Sequence, residues 1–133
     1  MSTAEQNDPH IDPLRGAILR WTWTVGPTKG MTHEHHFHED GTVEWHQVPH
    51  KGDTGPADGS VSATKPAERV KYAAFRIRPD VSAVSYRADS GFTLSVVIDF
   101  ASSDLVGFAS GGDEWYAVRG VSAVITPAVV SAQ

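Results

Sequence analysis

The sequence predicts an all-β protein, an eight-stranded antiparallel up-and-down β-barrel. Three observations lead to this fold class. Apolar residues alternate or cluster in eight short segments rich in Val, Ile, Thr, Trp and Tyr. The connections between most segments are short and built from Gly, Pro, Asp and Ser, which favour tight turns between antiparallel neighbours. No segment of comparable length shows the 3.6-residue period of an amphipathic helix.

The eight predicted strands follow one another along a single domain of 133 residues. Residues 1–13 are polar, contain two prolines and are expected to form a flexible N-terminal tail. The barrel is expected over residues 14–127, with a C-terminal tail over residues 128–133. The predicted strands are Ala17–Val25, Met31–His38, Thr42–Val48, Arg69–Ile77, Val81–Arg87, Phe92–Phe100, Leu105–Ser110 and Trp115–Ile125.

One connection is much longer than a hairpin turn. Residues 49–68 read "PHKGDTGPADGSVSATKPAE", a segment rich in Gly, Pro and Ser that predicts either a lid over one barrel mouth or disorder. A meander of eight strands has an unpaired edge at each end unless it closes. Closure at eight strands leaves an interior that holds side chains or one small ligand.

Composition excludes several classes of function. The chain has no cysteine, so thiolate metal sites and thiol nucleophiles are excluded. Its formal charge is −5 and its eleven Lys and Arg are scattered, which argues against a nucleic-acid partner. No apolar run is long enough to cross a membrane, and the N-terminus lacks the pattern of a signal peptide. We therefore expect a cytoplasmic protein without a membrane partner.

Six of the seven histidines lie between Gly30 and His50, around one Asp-Gly turn. If Glu39, Asp40 and Gly41 form a three-residue loop with a bulge, one face of the hairpin carries an aromatic and histidine set. That set is His33, His35, Phe37, Val43, Trp45 and Gln47. A two-residue turn would instead bring His33, His35, Glu44 and His46 together. We favour the bulged register, because a slip by one residue would expose Val43 and Trp45.

The two sets of histidines then have different interpretations. His36, His38 and His46 are expected to be solvated beside Glu34 and Glu44. His33 and His35 are expected to face a cavity, where a buried imidazole needs a partner. They are candidates for ligand contact or general acid–base catalysis, with a satisfied core histidine as the alternative.

A metal site is a weaker interpretation of the same cluster. His33, His35 and Glu39 form a His-x-His-x-x-x-Glu pattern, but no second motif follows and Glu39 lies at the turn. A zinc or manganese centre needs three converging protein ligands, of which the favoured register supplies two. We therefore expect no cofactor and no metal, with a histidine-bound divalent metal as an alternative.

The remaining candidate ligand contacts are aromatic and cationic. Trp21 and Trp23 share one strand face and, with Phe37 and Trp45, are candidates for a platform under a flat ligand, although all four could simply fill the core. Arg119 lies in the apolar run "WYAVRGVSAVI", where an unpaired guanidinium would be costly, so it is the candidate anchor for a substrate carboxylate. The alternative is an arginine that faces outward from the barrel wall.

Two stretches carry a resemblance to known proteins. "LRWTWTVGPTKGMTHEHHFHEDGTVEW" and "VSAVSYRADSGFTLSVVIDFASSDLVGFAS" are separated by the long loop and resemble the MoaF-like branch of the calycins, which are lipocalin-like barrels. The same segments are similar to the phenolic acid decarboxylases. The resemblance implies a cavity in which Trp21, Trp23 and His33 occupy the positions of three tyrosines. The arginine and glutamate of the decarboxylases have no counterpart here, so the resemblance implies the cavity and not the same chemistry.

Two classes of function remain open at this point, with a metal-dependent enzyme that uses the histidine cluster as a further alternative. The first is a small cofactor-independent lyase-type enzyme, either a decarboxylase, a dehydratase or an isomerase or cyclase. It would act on an aromatic or unsaturated carboxylic acid or a polyketide-like metabolite. The second is a barrel that binds a hydrophobic or aromatic small molecule without chemistry. The resemblance, and strand edges that closure leaves incompletely paired, also suggest a homodimer.

Overall fold

The computed structural model describes residues 12–49 and 68–129. These residues form a closed barrel of eight antiparallel strands, as the sequence predicts. The strands are β1 (Ile18–Val25), β2 (Thr32–Phe37), β3 (Thr42–Val48), β4 (Glu68–Arg78), β5 (Val81–Arg87), β6 (Thr93–Asp99), β7 (Asp104–Gly111) and β8 (Glu114–Thr126). The predicted segments match these bounds to within about two residues. The described part of the chain contains no helix, and so none that could span a membrane.

Each strand pairs with its neighbours in sequence, and β8 pairs with β1 to close the barrel. Pairing of β8 with β1 closes the sheet, whereas β3 pairs with β4 only from Thr42 to Trp45 and the rest of β3 extends beyond that pairing. Most of the predicted long loop, residues 50–67, lies outside the described residues, as do residues 1–11 and 130–133. The prediction of a lid therefore stays a prediction.

The hairpin of β2 and β3 adopts the predicted bulged register. Phe37 pairs with Val43 and His35 pairs with Trp45. The His38 amide donates to the Thr42 carbonyl at 2.8 Å, which leaves Glu39, Asp40 and Gly41 as the loop. Gly41 has a φ of 88°, in the left-handed region that a residue with a side chain rarely adopts. The Asp40 carboxylate accepts from the Thr42 amide and secures the turn.

The barrel has two ends, which we call lower and upper. At the lower end β1 begins and β2 finishes, and the chain just before β1 plugs the interior. Leu14 and Phe37 are fully buried there. Asp12 is also buried, accepts a hydrogen bond from the Leu14 amide at 2.9 Å and accepts another from the Tyr72 hydroxyl. Burial raises the pKa of Asp12.

Two boundaries from the sequence analysis change at this lower end. The polar neighbours of Asp12 predict a tail at this position, but its hydrogen-bond partner is Tyr72, 60 positions away. Near the other terminus the Val129 amide donates to the Arg15 carbonyl at 2.8 Å, and Ala128 packs against the core. Residues 12–13 and 128–129 therefore belong to the plugged end of the barrel.

Candidate functional site

The upper end of the barrel is where β1 and β3 finish and where β2 and β4 begin. Strand alternation directs Trp23, His33, Trp45 and Glu68 inward at this end. Trp23 is 4% exposed, whereas His33, Trp45 and Glu68 are half-buried. These four side chains form the candidate site.

A hydrogen bond across the interior lies beneath these four side chains. His35 Nε2 on β2 lies 2.7 Å from the Tyr86 hydroxyl on β5. Both residues are buried, and the His35 ring packs on Trp21 with their ring centroids 4.0 Å apart. Trp45 packs on Tyr86 at 4.7 Å between centroids. The His35–Tyr86 pair therefore separates the apolar core from the polar upper end.

The electrostatics of His35 follow from its burial. Burial holds its pKa well below the ordinary histidine range, because the imidazolium form would lose its hydration, and the charge of His33 adds to the effect. Within residues 12–49 and 68–129, its Nδ1 makes no hydrogen bond of standard geometry. His35 is therefore neutral near pH 7, and Tyr86 occupies its Nε2. The pKa of Tyr86 is raised by burial and by the charge of Glu68, so its hydroxyl stays protonated.

His33 is held differently from His35. The Trp23 indole Nε1–H donates to His33 Nδ1 at 3.1 Å. An indole nitrogen only donates, so Nδ1 accepts, and the neutral ring carries its hydrogen on Nε2. Burial lowers the pKa of His33, and the charge of His46 lowers it further. His33 is therefore a neutral imidazole at the upper end that can donate from Nε2.

The charge at this end is negative. Glu68 accepts a hydrogen bond from the Asp89 amide in the turn between β5 and β6. Glu114, at the start of β8, accepts from the Tyr116 hydroxyl at 2.6 Å. The inward-facing strand positions described at this end include no Lys or Arg.

The structure corrects the expectation for Arg119. Its side chain lies on the outer surface, more than half exposed, and its Nη2 lies 2.8 Å from Asp104 Oδ2. Its neighbours Val118 and Gly120 face inward, so alternation sends Arg119 outward. Arg119 is therefore not a carboxylate anchor inside the barrel. The apolar run that suggested burial has apolar residues on both faces, and Trp115 in the same run is 77% exposed.

The other candidates divide between core and upper end. Trp21 and Phe37 are fully buried beneath the site and fill the core, whereas Trp23 and Trp45 reach the upper end. On the outer surface of the hairpin, His38 pairs with Glu44 at 2.9 Å and stacks on His36. His46 is exposed. The described residues contain no group of three His, Asp or Glu side chains placed to hold a metal.

Sequence reasoning did not find Tyr86 or Glu68. Tyr86 is the inward position after Ser82 and Val84 in "VSAVSYR", so alternation on β5 was an available signal. Its contact with His35 joins residues 51 positions apart on strands that are not neighbours. The composition of residues 49–68 predicts a long loop that ends at Glu68, one residue before the predicted start of β4, so Glu68 is not predicted to face the interior.

Comparison with known proteins supports the fold alone. No protein-family model and no curated protein sequence gives a significant match to this chain. The chain is similar in structure to a crystal structure named "putative beta-lactamase from Burkholderia vietnamiensis", with a TM-score of 0.63 and 16% sequence identity. The match covers 85% of this chain and 96% of that one.

Proposed function

We propose that the upper end of the barrel binds a small aromatic or conjugated carbonyl compound, and that the protein is a cofactor-independent lyase or isomerase. The hydrogen bond from Trp23 to His33 Nδ1 is the observation that carries this proposal. It sets a neutral imidazole with its hydrogen on Nε2, at the N–H edge of the Trp23 indole. A packed core does not require that arrangement, whereas it provides an N–H donor for a ligand oxygen.

In this proposal His33 acts as a hydrogen-bond donor and not as a base. The lone pair on Nδ1 is engaged by Trp23, so the neutral ring offers only its Nε2–H. Such a donor polarises a carbonyl and stabilises the negative charge that develops on its oxygen when a neighbouring C–H bond breaks. A lowered pKa suits this role, because it keeps the ring neutral at physiological pH.

Glu68 is the proposed base. It is the carboxylate at an inward-facing position of this end, and the Asp89 amide holds one of its oxygens. His33 and Glu68 lie on strands separated by β3, so about 10 Å separates their backbones. A carbonyl compound of one or two rings spans that distance. Glu68 would take the proton next to the carbonyl, and His33 would donate to the resulting enolate oxygen.

His35 and Tyr86 are proposed as positioning residues. Neither titrates near neutral pH, and their hydrogen bond fixes the floor of the site. Of the two candidate histidines, the proposal therefore gives a contact with the substrate to His33 alone, as a hydrogen-bond donor, and gives the proton transfer to Glu68. With Arg119 outside, a negatively charged end favours substrates whose entering part is uncharged. A carboxylate anchor would have to come from a residue outside the inward-facing strand positions, such as Lys29 in the turn between β1 and β2.

A relationship to the MoaF-like and phenolic acid decarboxylase-like barrels remains part of this proposal. Trp23 and His33, two of the three positions that the resemblance maps onto cavity tyrosines, are the indole and imidazole joined by a hydrogen bond. The closed eight-stranded barrel agrees with that relationship.

The proposal is tested by proton exchange, because that assay needs only the chemical class of the substrate. Purified protein is incubated in D₂O with a panel of aryl ketones and conjugated ketones, and loss of the proton next to the carbonyl is followed by NMR. We expect protein-dependent exchange for at least one compound. His33→Gln and Glu68→Gln should each reduce it by about 10²-fold or more, whereas His36→Gln on the outer surface should leave it unchanged.

A barrel that binds without chemistry is the second candidate, and the full burial of His35 favours it, because one of the two inward histidines is then a core residue. Saturable binding of a panel compound without any exchange would select this second function. Exchange that persists in both the His33→Gln and Glu68→Gln proteins would contradict the roles given to these residues.

A further inference from the structure

The outer surface of β4 to β8 carries a groove that lies outside the barrel and apart from the candidate site. Its volume is about 700 Å³, and small-molecule sites typically enclose roughly 300–1,000 Å³. Phe75 on β4 and Phe108 on β7 line it on opposite sides, and they are 53% and 55% exposed. Between them, β5 and β6 supply a floor of smaller side chains, namely Ala83, Ser85, Ser95 and Val97. We call this feature the outer groove.

The floor of the outer groove can lie under an apolar chain without losing a hydrogen bond. Ser85 and Ser95 pair across the two strands, and their hydroxyl oxygens are 2.8 Å apart. Ala83 and Val97 form the next pair, and their side chains are hydrocarbon alone. A chain laid over this floor therefore removes apolar surface from water while each serine keeps its partner.

The row of residues at one end of the outer groove is positively charged. Arg87 follows Ser85 by two residues, so both lie on the outer face of β5. The register of β4 with β5, carried one residue beyond its printed pairs, sets Lys71 opposite Arg87. Both cations are exposed, neither forms an ion pair within the described residues, and the row continues through Thr93, Ser110 and Trp115. Like charges that face each other across a strand pair repel, so an anion bound between them is favoured.

The row at the other end of the groove has no such excess of charge. The register aligns Arg78, Asp99 and Asp104 in this row. Arg119, which lines the groove, has its Nη2 2.8 Å from Asp104 Oδ2. Two carboxylates therefore balance two guanidinium groups at this end. An anion is attracted to the first row and not to this one, so the charges give a bound anionic amphiphile one orientation.

We propose that the outer groove binds one molecule of a single-chain fatty acid. Its hydrocarbon chain lies on the floor between Phe75 and Phe108, and its carboxylate lies between Lys71 and Arg87. From Ala83 to Arg87 the site extends roughly 13 Å along β5, which suits a medium-length chain such as decanoate or dodecanoate. Binding on the outer wall leaves the upper end of the barrel open, so this site and the proposed catalytic site can be tested separately.

The shape of the groove predicts a modest affinity. Because the groove is open to solvent, the chain of the fatty acid is only partly buried. We expect a Kd of about 10–500 µM for dodecanoate. Each methylene added between octanoate and dodecanoate should strengthen binding about twofold, less than the roughly fourfold that complete burial gives.

Isothermal titration calorimetry of the full chain with sodium dodecanoate, kept below its micelle concentration, tests the proposal. We expect saturation at one molecule per chain. Dodecyltrimethylammonium has the same chain and a cationic head group, and it should bind at least about tenfold more weakly. Absence of dodecanoate binding at about 2 mM, or equal affinity for the two amphiphiles, would overturn the proposal. A protein that sediments with phosphatidylglycerol vesicles but does not bind dodecanoate would also overturn it.

Matched variants locate the two ends of the ligand. Arg87→Gln should weaken dodecanoate binding about five- to tenfold and leave the binding of uncharged decanol unchanged. Arg20→Gln makes the same change in net charge on the opposite wall and should bind like the parent chain. Phe108→Glu should abolish binding with an unchanged circular dichroism spectrum, because the side chain is exposed. Ile125→Glu replaces a similarly exposed apolar residue outside the groove and should bind dodecanoate normally.

NMR of the full chain distinguishes the outer groove from the interior of the barrel. Dodecanoate should shift the backbone amide signals of Ser85 and Arg87 and leave the Trp23 indole signal in place. Equal losses of affinity in Arg20→Gln and Arg87→Gln would show a general effect of charge and would contradict the position given to the carboxylate. Shifts confined to Trp23 and His33 would place the fatty acid inside the barrel and would refute binding in the groove.

Discussion

The two ends of the barrel are built from different chemistry on the same eight strands. The lower end is plugged by the chain before β1 and contains fully buried apolar residues such as Leu14 and Phe37. The upper end carries the half-buried polar residues His33 and Glu68 beside the buried Trp23. The difference indicates that stability and ligand recognition are separated along the barrel axis, with the His35–Tyr86 pair as the boundary between them.

Truncating a leucine at each end should give the largest difference in unfolding free energy between the two ends. Leu14→Ala leaves a cavity in the plug and should cost about 3 kcal/mol of unfolding free energy, measured by urea denaturation. Leu94→Ala, at a half-buried inward position of the upper end, should cost about 1 kcal/mol, because water already reaches part of that side chain. Equal losses at the two positions would show that the upper end contributes as much to stability as the plug.

The pH dependence of the unfolding free energy should show whether His35, at the boundary between the two ends, is buried and neutral. Because burial lowers the pKa of His35 in the folded state, the unfolded chain binds more protons below about pH 6.5. Stability should therefore fall as pH decreases through this range, by up to about 1.4 kcal/mol per pH unit for one group. His33 acts in the same direction, whereas the raised pKa of Asp12 acts in the opposite direction above pH 3.8.

The control for this prediction compares how steeply the unfolding free energy changes with pH in each variant, and not the unfolding free energy itself. His35→Gln removes the titrating group, so its unfolding free energy should change less between pH 6.5 and pH 5 than that of the parent chain. His36→Gln on the outer surface should keep the parent slope. A parent chain whose stability does not decrease over this range would contradict a neutral, buried His35.

The smallest expected effect is that of the outer arginine. Arg119→Ala breaks an exposed ion pair with Asp104 and should change the unfolding free energy by about 0.5 kcal/mol or less. It should also leave proton exchange at the upper end unchanged, because Arg119 does not face the interior. A large loss of exchange in this protein, at unchanged stability, would show that the arginine reaches the substrate after all.

The strand positions and the register of the β2–β3 hairpin could be predicted from the sequence because local patterns determine them. Alternation and turn chemistry determine strand positions, and Gly41 with the inward-facing pairs Phe37–Val43 and His35–Trp45 determines the hairpin register. The side chain of a strand residue can be assigned to a face in this way only when one face is apolar and the other polar. This condition holds for the hairpin of β2 and β3.

This condition fails for β8, which carries apolar residues on both of its faces. Arg119 therefore looked buried in the sequence, although the inward position beside it is fixed by Gly120. A Cβ at Gly120 would come within 2.4 Å of the Thr22 carbonyl oxygen, so this position must stay small. Sequence patterns also do not reveal the contacts across the barrel, because the pairs Asp12–Tyr72 and His35–Tyr86 join residues that are distant in sequence.

The hydrogen bond from Trp23 to His33 is the most direct test of a recognition site at the upper end. Nitrogen-detected NMR of the histidine side chains distinguishes the two neutral tautomers and follows their titration. We predict that His33 near pH 7 is neutral, with its hydrogen on Nε2, a pKa below 6.5, and an Nε2 resonance that shifts when an aryl ketone is added. Trp23→Phe should redistribute the tautomers. A His33 that carries its hydrogen on Nδ1, or titrates with an unshifted pKa and ignores every ketone, would contradict the site proposed for this end of the barrel.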